Sequence, residues 1–161
     1  MGARDLQRSV RELVRALGVL SEDQTPCGAA IPPREAHALL ILFESEAQRT
    51  VLGQADLQRI IGIDKSNIAR LVQRLGERGW VSQSPDADDG RRRILGLTAR
   101  GRSIAASLDE RSGVLFQSLW KTLDRLERDE ITRGLQRLST ALRDVAMKNV
   151  EHPDKEPSRA K

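Results

Sequence analysis

The chain has 161 residues, of which 39% are hydrophobic and 31% charged, with a formal net charge of +4 at pH 7. This composition predicts one packed domain with extra helices and excludes general disorder, while two Trp, two Phe and no Tyr make a base-stacking platform for single strands unexpected. One cysteine excludes an internal disulfide, and no apolar run reaches the length of a membrane span. Residues 1–20 also lack the apolar centre of a signal peptide. We therefore expect a cytoplasmic protein.

The chain begins with a predicted amphipathic helix from about Ala3 to Leu20. Its arginine-rich face lies opposite an apolar face made of Leu6, Val10, Leu13, Val14, Leu17 and Leu20. A linker follows from Ser21 to Pro33, with a cysteine and three prolines. A second helix is predicted from Pro33 to Ser45. Its start at proline is expected, because the first turn of a helix tolerates a residue without an N–H. Residues 48–52 are expected to supply a short strand.

Two further helices are predicted close together. The first runs from Ala55 to Ile61, and the second from Asp64 to Arg78. Four apolar residues of the second recur at i, i+3, i+4 and i+7, namely Ile68, Leu71, Val72 and Leu75. Asp64 suits the N-cap position, and Gly79 suits a left-handed residue after the helix. Such a pair is typical of a helix-turn-helix with the second as recognition helix, although an ordinary helical hairpin has the same pattern.

A basic hairpin is predicted directly after the recognition helix. Residues 80–83 and 93–97 favour strands, and the connector from Pro85 to Gly90 is rich in turn-forming residues. The connector is followed by three consecutive arginines, Arg91, Arg92 and Arg93. A charge run by itself is commonly a solvated face. Its place after a helix-turn-helix instead indicates a wing whose tip arginine enters a minor groove.

These residues, taken in order, resemble the MarR-type winged-helix transcriptional regulators. The matching segments are L-x-x-x-x-G-I-D-K-S-N at Leu57–Asn67, L-x-x-R-G at Leu75–Gly79, and P-D-x-x-D-x-R with L-T-x-x-G at Pro85–Gly101. The resemblance implies a mainly α-helical fold with a small β-hairpin wing, and N- and C-terminal helices that form a homodimer. It also implies a double-stranded DNA partner and repression by promoter blocking, relieved when a small-molecule effector binds.

The expected DNA contacts lie on the recognition helix and the wing. They are Lys65, Ser66, Asn67, Arg70, Gln73, Arg74, Asp89, Arg91, Arg92 and Arg93. Arg70 and Gln73 carry donors suited to guanine and adenine edges, whereas Lys65 and Arg74 are expected to contact phosphates. The resemblance gives Asp89 the role of bracing Arg91; from the residues alone, Asp89 fits a turn residue equally well.

The C-terminal third predicts two long helices. Thr98 suits the N-cap of the first, a break is expected near Leu126, and the last helix should run from about Asp129 to Lys148. Residues 149–161 are expected to be a disordered tail. We therefore assign residues 34–98 to the winged helix-turn-helix and residues 1–33 and 99–148 to a dimerisation region, since their surplus apolar faces need a partner. A twofold dimer predicts a pseudo-palindromic operator.

Other kinds of site find little support in the sequence. No nucleophile–base pair, phosphate-binding glycine loop or metal-ligand cluster is present, so we predict no enzyme, no cofactor and no metal. His37 is either a surface histidine or, by the resemblance, part of an effector pocket against the first and fifth helices. Cys27 is either an ordinary loop cysteine or a redox sensor. Two alternatives thus stay open: a redox-sensing regulator switched through Cys27, and a winged-helix module that binds proteins.

Overall fold

The computed structural model describes residues 2–86, 89 and 92–151. Its elements, in chain order, are α1 (Ala3–Leu17), α2 (Pro33–Ala47), β1 (Leu52–Gly53), α3 (Gln54–Ile61), α4 (Lys65–Glu77), β2 (Val81–Pro85), β3 (Arg93–Leu97), α5 (Ala99–Thr122) and α6 (Arg125–Glu151). The chain divides into two compact units, residues 1–115 and residues 116–161. The predicted fold class, mainly helical with a small antiparallel sheet, is confirmed.

The first two helices end at left-handed residues. Gly18, with φ 67°, follows α1, which therefore stops three residues before the predicted end at Leu20. Arg49, with φ 56°, follows α2, and the backbone N–H of Thr50 donates to the carbonyl oxygen of Ser45 at 2.8 Å. This turn occupies most of the segment predicted as a strand from residue 48. That prediction is wrong in its bounds, because the strand β1 begins only at Leu52.

The helix-turn-helix is formed by α3 and α4, and its turn begins at Gly62 in the left-handed conformation. The backbone N–H of Asn67 donates to Oδ1 of Asp64 at 2.9 Å, which confirms Asp64 as the N-cap. After α4, Gly79 has φ 70° and the N–H of Trp80 donates to the carbonyl oxygen of Leu75 at 2.9 Å. Hydrogen bonds to carbonyl oxygens of the last turn, closed by a left-handed glycine, terminate the helix as predicted.

The three strands form one antiparallel sheet in the order β1-β3-β2. In the wing, β2 and β3 pair from Val81 opposite Leu97 to Pro85 opposite Arg93. The predicted hairpin is therefore present. Trp80, predicted as its first residue, lies just before β2 and is buried.

An aliphatic core holds these elements together, as the scarcity of aromatic residues predicts. It combines residues of α2, α3, α4, β2, β3 and the first part of α5 with Ala29 of the linker and Trp80. The four apolar residues predicted for the buried face of α4 are each at most 2% exposed, namely Ile68, Leu71, Val72 and Leu75. Each such side chain contributes about 1.5–3 kcal/mol on burial, so α4 is firmly seated and its opposite face is fixed in direction.

The start of α5 packs closely on the residues that follow α4. Thr98 caps α5, because its Oγ1 accepts from the N–H of Gly101 at 3.0 Å and also donates to the carbonyl oxygen of Gly79 at 2.7 Å. A Cβ atom on Gly101 would lie 1.8 Å from the carbonyl oxygen of Trp80. Only glycine permits this approach, which joins the end of α4 to α5.

The second unit consists of the end of α5 and of α6. The break between these helices lies at Asp124, whose Oδ1 accepts from the N–H of Glu127 while Oε2 of Glu127 accepts from the N–H of Asp124. This capping box places the start of α6 at Arg125, four residues before the predicted Asp129. The helix runs to Glu151, beyond the predicted end at Lys148. Residues 152–161 of the predicted tail lie outside the described residues. None of the described helices has the length and apolarity that crossing a membrane requires.

Candidate nucleic-acid interface

The face of α4 opposite the core carries all six side chains predicted to contact DNA from this helix. Five of them are exposed, namely Lys65, Ser66, Arg70, Gln73 and Arg74, and Asn67 is partly buried. The helical period alone accounts for this arrangement, since the four buried apolar residues occupy the other face. The result is a continuous row of ammonium, hydroxyl, amide and guanidinium groups.

The N-terminal half of this row is a hydrogen-bonded network centred on Asp64. Oδ1 of Asp64 accepts from Oγ of Ser66 at 2.7 Å, and Oδ2 accepts from the side-chain amide of Asn67. Nη2 of Arg70 in turn donates to Oδ1 of Asn67 at 2.9 Å and to Oγ of Ser66 at 3.3 Å. The backbone N–H of Asn67, followed by the hydroxyl of Ser66, lowers the pKa of Asp64 to about 2. Arg70 is thus held in one direction before any partner arrives.

The C-terminal half is held by a carboxylate from another helix. Nε of Arg74 donates to Oε1 of Glu35 on α2 at 3.2 Å, and Nε of Arg78 lies 3.1 Å from Oε2 of the same residue. Beside this pair, Nε2 of Gln73 donates to Oε1 of Glu77 at 2.8 Å. The prediction treats Arg74 as a phosphate contact, and the structure adds a protein partner for it. Sequence reasoning missed Glu35 and Arg78; the spacing of the two arginines by one turn was visible, but their partner on α2 was not.

One wing arginine is turned toward the helix-turn-helix. Nη2 of Arg92 donates to Oδ2 of Asp56 on α3 at 2.6 Å and to the carbonyl oxygen of Val51 at 3.3 Å. Its Nη1 donates to Oδ2 of Asp86 at 3.4 Å. The pKa of Asp56 is lowered, first by the backbone N–H of Gly53 and further by the hydrogen bond from Arg92. Arg92 therefore joins the wing to the first turn of α3, a role that the arginine run did not indicate.

The other wing residues are placed only in part. Arg93 is exposed at the start of β3. Asp89 is exposed, and its carbonyl oxygen accepts from the N–H of Arg92 at 2.8 Å. Arg91 lies outside the described residues, as does the predicted brace between Asp89 and Arg91.

A second ion pair fixes the base of the wing. Nε and Nη2 of Arg102 donate to the two carboxylate oxygens of Glu46 at 2.8 and 3.0 Å, and the N–H of Leu97 donates to Oε1 of Glu46 at 3.3 Å. The hydrogen bond from Arg102 is the main reason that the pKa of Glu46 is lowered. This contact joins the end of α2 to β3 and α5, while the first turn of α2 contacts α4 through Glu35.

The two remaining predicted sites have simple surroundings. Cys27 is partly buried in the linker, with its Sγ 3.1 Å from Oγ1 of Thr25. His37 is exposed on α2. Within the part of the chain that the structure describes, no group of three His, Cys, Asp or Glu side chains could hold a metal ion.

Comparison with known proteins finds similarity to one family. Residues 31–92 match a model of the MarR family. The chain is 24% identical over 103 residues to the transcriptional repressor MprA of Escherichia coli K12, a match over 64% of this chain and 58% of MprA. It is 30% identical over 69 residues to the multiple antibiotic resistance protein MarR of Salmonella typhimurium, 42% of this chain and 48% of that protein. The matches thus span about half the length of these relatives, and MprA is by name a transcriptional repressor.

Solved structures share the fold along most of the chain. A Staphylococcus aureus MepR–DNA complex superposes with a TM-score of 0.64 at 19% identity, covering 88% of this chain and 99% of MepR. MepR bound to ethidium bromide superposes with a TM-score of 0.52 at 19% identity, covering 88% of this chain and 97% of that one. The matched segment, residues 31–92, contains the helix-turn-helix and the first strand of the wing. Residues 31–92 of the chain are thus similar to the MarR family.

Proposed function

We propose that the chain is a sequence-specific regulator that binds double-stranded DNA as a homodimer in the cytoplasm. The observation that carries this proposal is the exposed face of α4. Four buried apolar residues fix the helix on one side, and the hydrogen-bonded row from Ser66 to Arg70 faces outward on the other. A recognition helix contacts bases mainly through its N-terminal residues, which is where this row lies.

The chemistry of the row fits the major groove. A guanidinium group donates two hydrogen bonds to O6 and N7 of guanine, and a side-chain amide pairs with N6 and N7 of adenine. Arg70 and Gln73 supply these groups, and Lys65 adds a cation for a phosphate. The MepR–DNA complex supports the same use of this fold. In this proposal, each wing lies along the adjacent minor groove, where Arg93 and Arg91 meet the phosphates.

Exposed apolar side chains support the homodimer. In the second unit, the chain exposes Phe116, Leu119, Trp120, Leu126, Ile131, Leu135, Leu142 and Val145 by 45% or more. On α1, Leu6 is 53% and Leu13 41% exposed. So much large apolar surface on the terminal helices is unusual for a monomer and is characteristic of a partner interface. Twofold symmetry then places two α4 helices on half-sites of a pseudo-palindrome.

Repression and its relief complete the proposal. MprA is named a transcriptional repressor, and a dimer on an operator blocks a promoter by occupying it. The ethidium complex of MepR supports relief by a small molecule. We place that effector near α2, where His37 is exposed. Thermodynamically, the effector must bind the DNA-free arrangement of the two α4 helices more tightly than the DNA-bound one.

Arg70→Ala is the variant that tests the proposal. Its affinity for the preferred duplex should fall by about 5–150-fold, from the loss of about 1–3 kcal/mol of base discrimination, and its affinity for an unrelated duplex should fall much less. Arg133→Ala on α6 is the matched control, because it removes the same charge from an exposed position in the other unit. Equal binding of both duplexes by the parent protein, or an Arg70→Ala variant that discriminates like the parent, contradicts the assigned function.

A further inference from the structure

A buried carboxylate lies behind the C-terminal half of the recognition helix. Glu35, in the first turn of α2, exposes only 3% of its side chain. Its Oε1 accepts from Nε of Arg74 at 3.2 Å, and its Oε2 lies 3.1 Å from Nε of Arg78. One carboxylate therefore holds two guanidinium groups that lie one turn apart on α4.

The carboxylate of this cluster is buried, whereas its two guanidinium groups are half exposed. Proteins tolerate a buried carboxylate when cations compensate it, and Glu35 has no other ionic partner among the described residues. The side chains of Arg74 and Arg78 are 50% and 46% exposed. The arginines thus keep access to water, and to an anionic partner, while the carboxylate does not. Without Glu35, neither guanidinium group would have an ionic partner among the described residues, and that of Arg74 would be free to move.

The cluster divides α4 into two halves of different character. In the N-terminal half, Arg70 donates to neutral oxygens, and Lys65 offsets the carboxylate of Asp64 behind them, which leaves a net charge of +1. In the C-terminal half, the carboxylates of Glu35 and Glu77 offset the two arginines, and the guanidinium of Arg78 is also stacked 4.8 Å from the ring centroid of Trp80. Positive potential is therefore concentrated at the end of α4 that contacts bases.

We propose that Glu35 is a positioning residue for DNA recognition, which restrains Arg74 and Arg78 and so limits attraction to phosphates that carries no sequence information. This inference rests on the proposed function. Contacts between arginine and phosphate supply affinity for any sequence, and each adds about 0.9 to the slope of log K against log[salt]. By suppressing such contacts, Glu35 raises the ratio of specific to nonspecific binding.

Salt titration of Glu35→Gln tests this role. The variant keeps the size of the side chain and removes its charge. We expect tighter binding to an unrelated duplex, a salt slope steeper by about 1–2 as one or two phosphate contacts form, and a smaller ratio of operator to nonspecific affinity. Glu44→Gln is the matched control, because it makes the same charge change at an exposed position of α2. Its slope and ratio should stay close to those of the parent.

A triple variant separates positioning from a general effect of charge. When Arg74→Gln and Arg78→Gln are already present, adding Glu35→Gln should change neither the slope nor the ratio. If Glu35→Gln does not fold, Glu35→Met carries the same expectations, since an apolar side chain of similar length suits a buried position. A variant that folds and keeps the parent slope and ratio overturns the inference, as does an effect of Glu35→Gln that persists without the two arginines.

Failure of the inference is distinguishable from failure of the proposed function. If the parent protein prefers one duplex and Glu35→Gln keeps that preference and slope, the role of Glu35 alone is wrong. If the parent protein binds every duplex equally, the proposed function is wrong and the inference falls with it.

Discussion

Replacing Gly101 by alanine tests the junction between the recognition helix and α5. The added Cβ would lie 1.8 Å from the carbonyl oxygen of Trp80 and 2.7 Å from its carbonyl carbon. Separations under 3.0 Å are essentially never found, so backbone must shift by about 1.2 Å. Such a shift strains the hydrogen bonds that Thr98 donates to the same oxygen, at 3.0 Å from its N–H and 3.3 Å from Oγ1.

The expected loss of stability follows from these contacts. Overpacking typically costs about 1–3 kcal/mol, and each weakened hydrogen bond adds about 0.5–1.5 kcal/mol. Exchanging glycine for alanine inside a helix returns about 0.5–1 kcal/mol. We therefore expect Gly101→Ala to lower the free energy of unfolding by about 2–4 kcal/mol, which for a chain of this size lowers Tm by roughly 5–15 °C.

Thermal unfolding followed by circular dichroism measures this change, at one protein concentration because dimers gain stability with concentration. Gly113→Ala is the matched control: it lies on the same helix, and among the described residues beyond its own helix backbone and chain neighbours no atom lies within 4 Å of the added Cβ. That variant should melt at or slightly above the parent Tm. A Gly101→Ala protein whose Tm stays within 2 °C of the parent would refute the close packing of α5 on Trp80.

Three further predictions concern the cap, the wing and the dimer. Because Asp64 has a lowered pKa of about 2 when folded and 3.8 ordinarily, it stabilises the fold above about pH 4 and ceases to as pH falls toward 2. Asp64→Asn keeps a cap but cannot titrate, so its Tm should fall less than the parent's across that window; parallel Tm curves would refute this. Arg92→Gln should reduce stability by about 0.5–1 kcal/mol, as expected for a half-exposed ion pair, whereas Arg93→Gln should reduce DNA affinity with Tm unchanged. Calorimetry measures the stability and anisotropy titration the DNA affinity. If Arg92→Gln lowered only the affinity and Arg93→Gln only the stability, the two roles would have to be exchanged. Leu119→Glu should elute as a smaller species than the parent on size-exclusion chromatography, and Lys121→Glu on the same helix is the control. If Leu119→Glu eluted at the same volume as the parent, the dimer interface would lie elsewhere.

Features with a local physical cause could be predicted from the sequence. The buried face of α4 follows from helical periodicity, its start from the Asp64 cap and its end from Gly79, and each cause acts within a few residues. The wrong start for α6 was also a local matter. The pair Asp124 and Glu127 forms a capping box that the sequence displays, and the acids at residues 129 and 130 lie in the second turn of the helix, not at its start.

Features that depend on tertiary contact could not be predicted in this way. Glu35 meets Arg74 across 39 residues of sequence, and Arg92 meets Asp56 across 36. Nothing near Arg92 distinguishes it from its neighbours in the arginine run, so only the packed fold shows that its guanidinium faces α3. The sequence predicts that the exposed face of α4 and the wing carry these charged side chains, but the internal ion pairs of Arg74 and Arg92 are visible only in the structure.

Selection of binding sites from random duplex DNA tests the central claim most directly. The purified protein is passed through successive rounds of capture, and the selected duplex is then titrated at several salt concentrations with the parent protein and with Arg70→Ala. We predict a pseudo-palindrome with half-sites about one helical turn apart, bound with a steep salt slope by the parent and with lost preference by the variant. Recovery of no common sequence, with binding that is weak and nearly independent of salt, would contradict the assignment of α4 as a reader of DNA sequence.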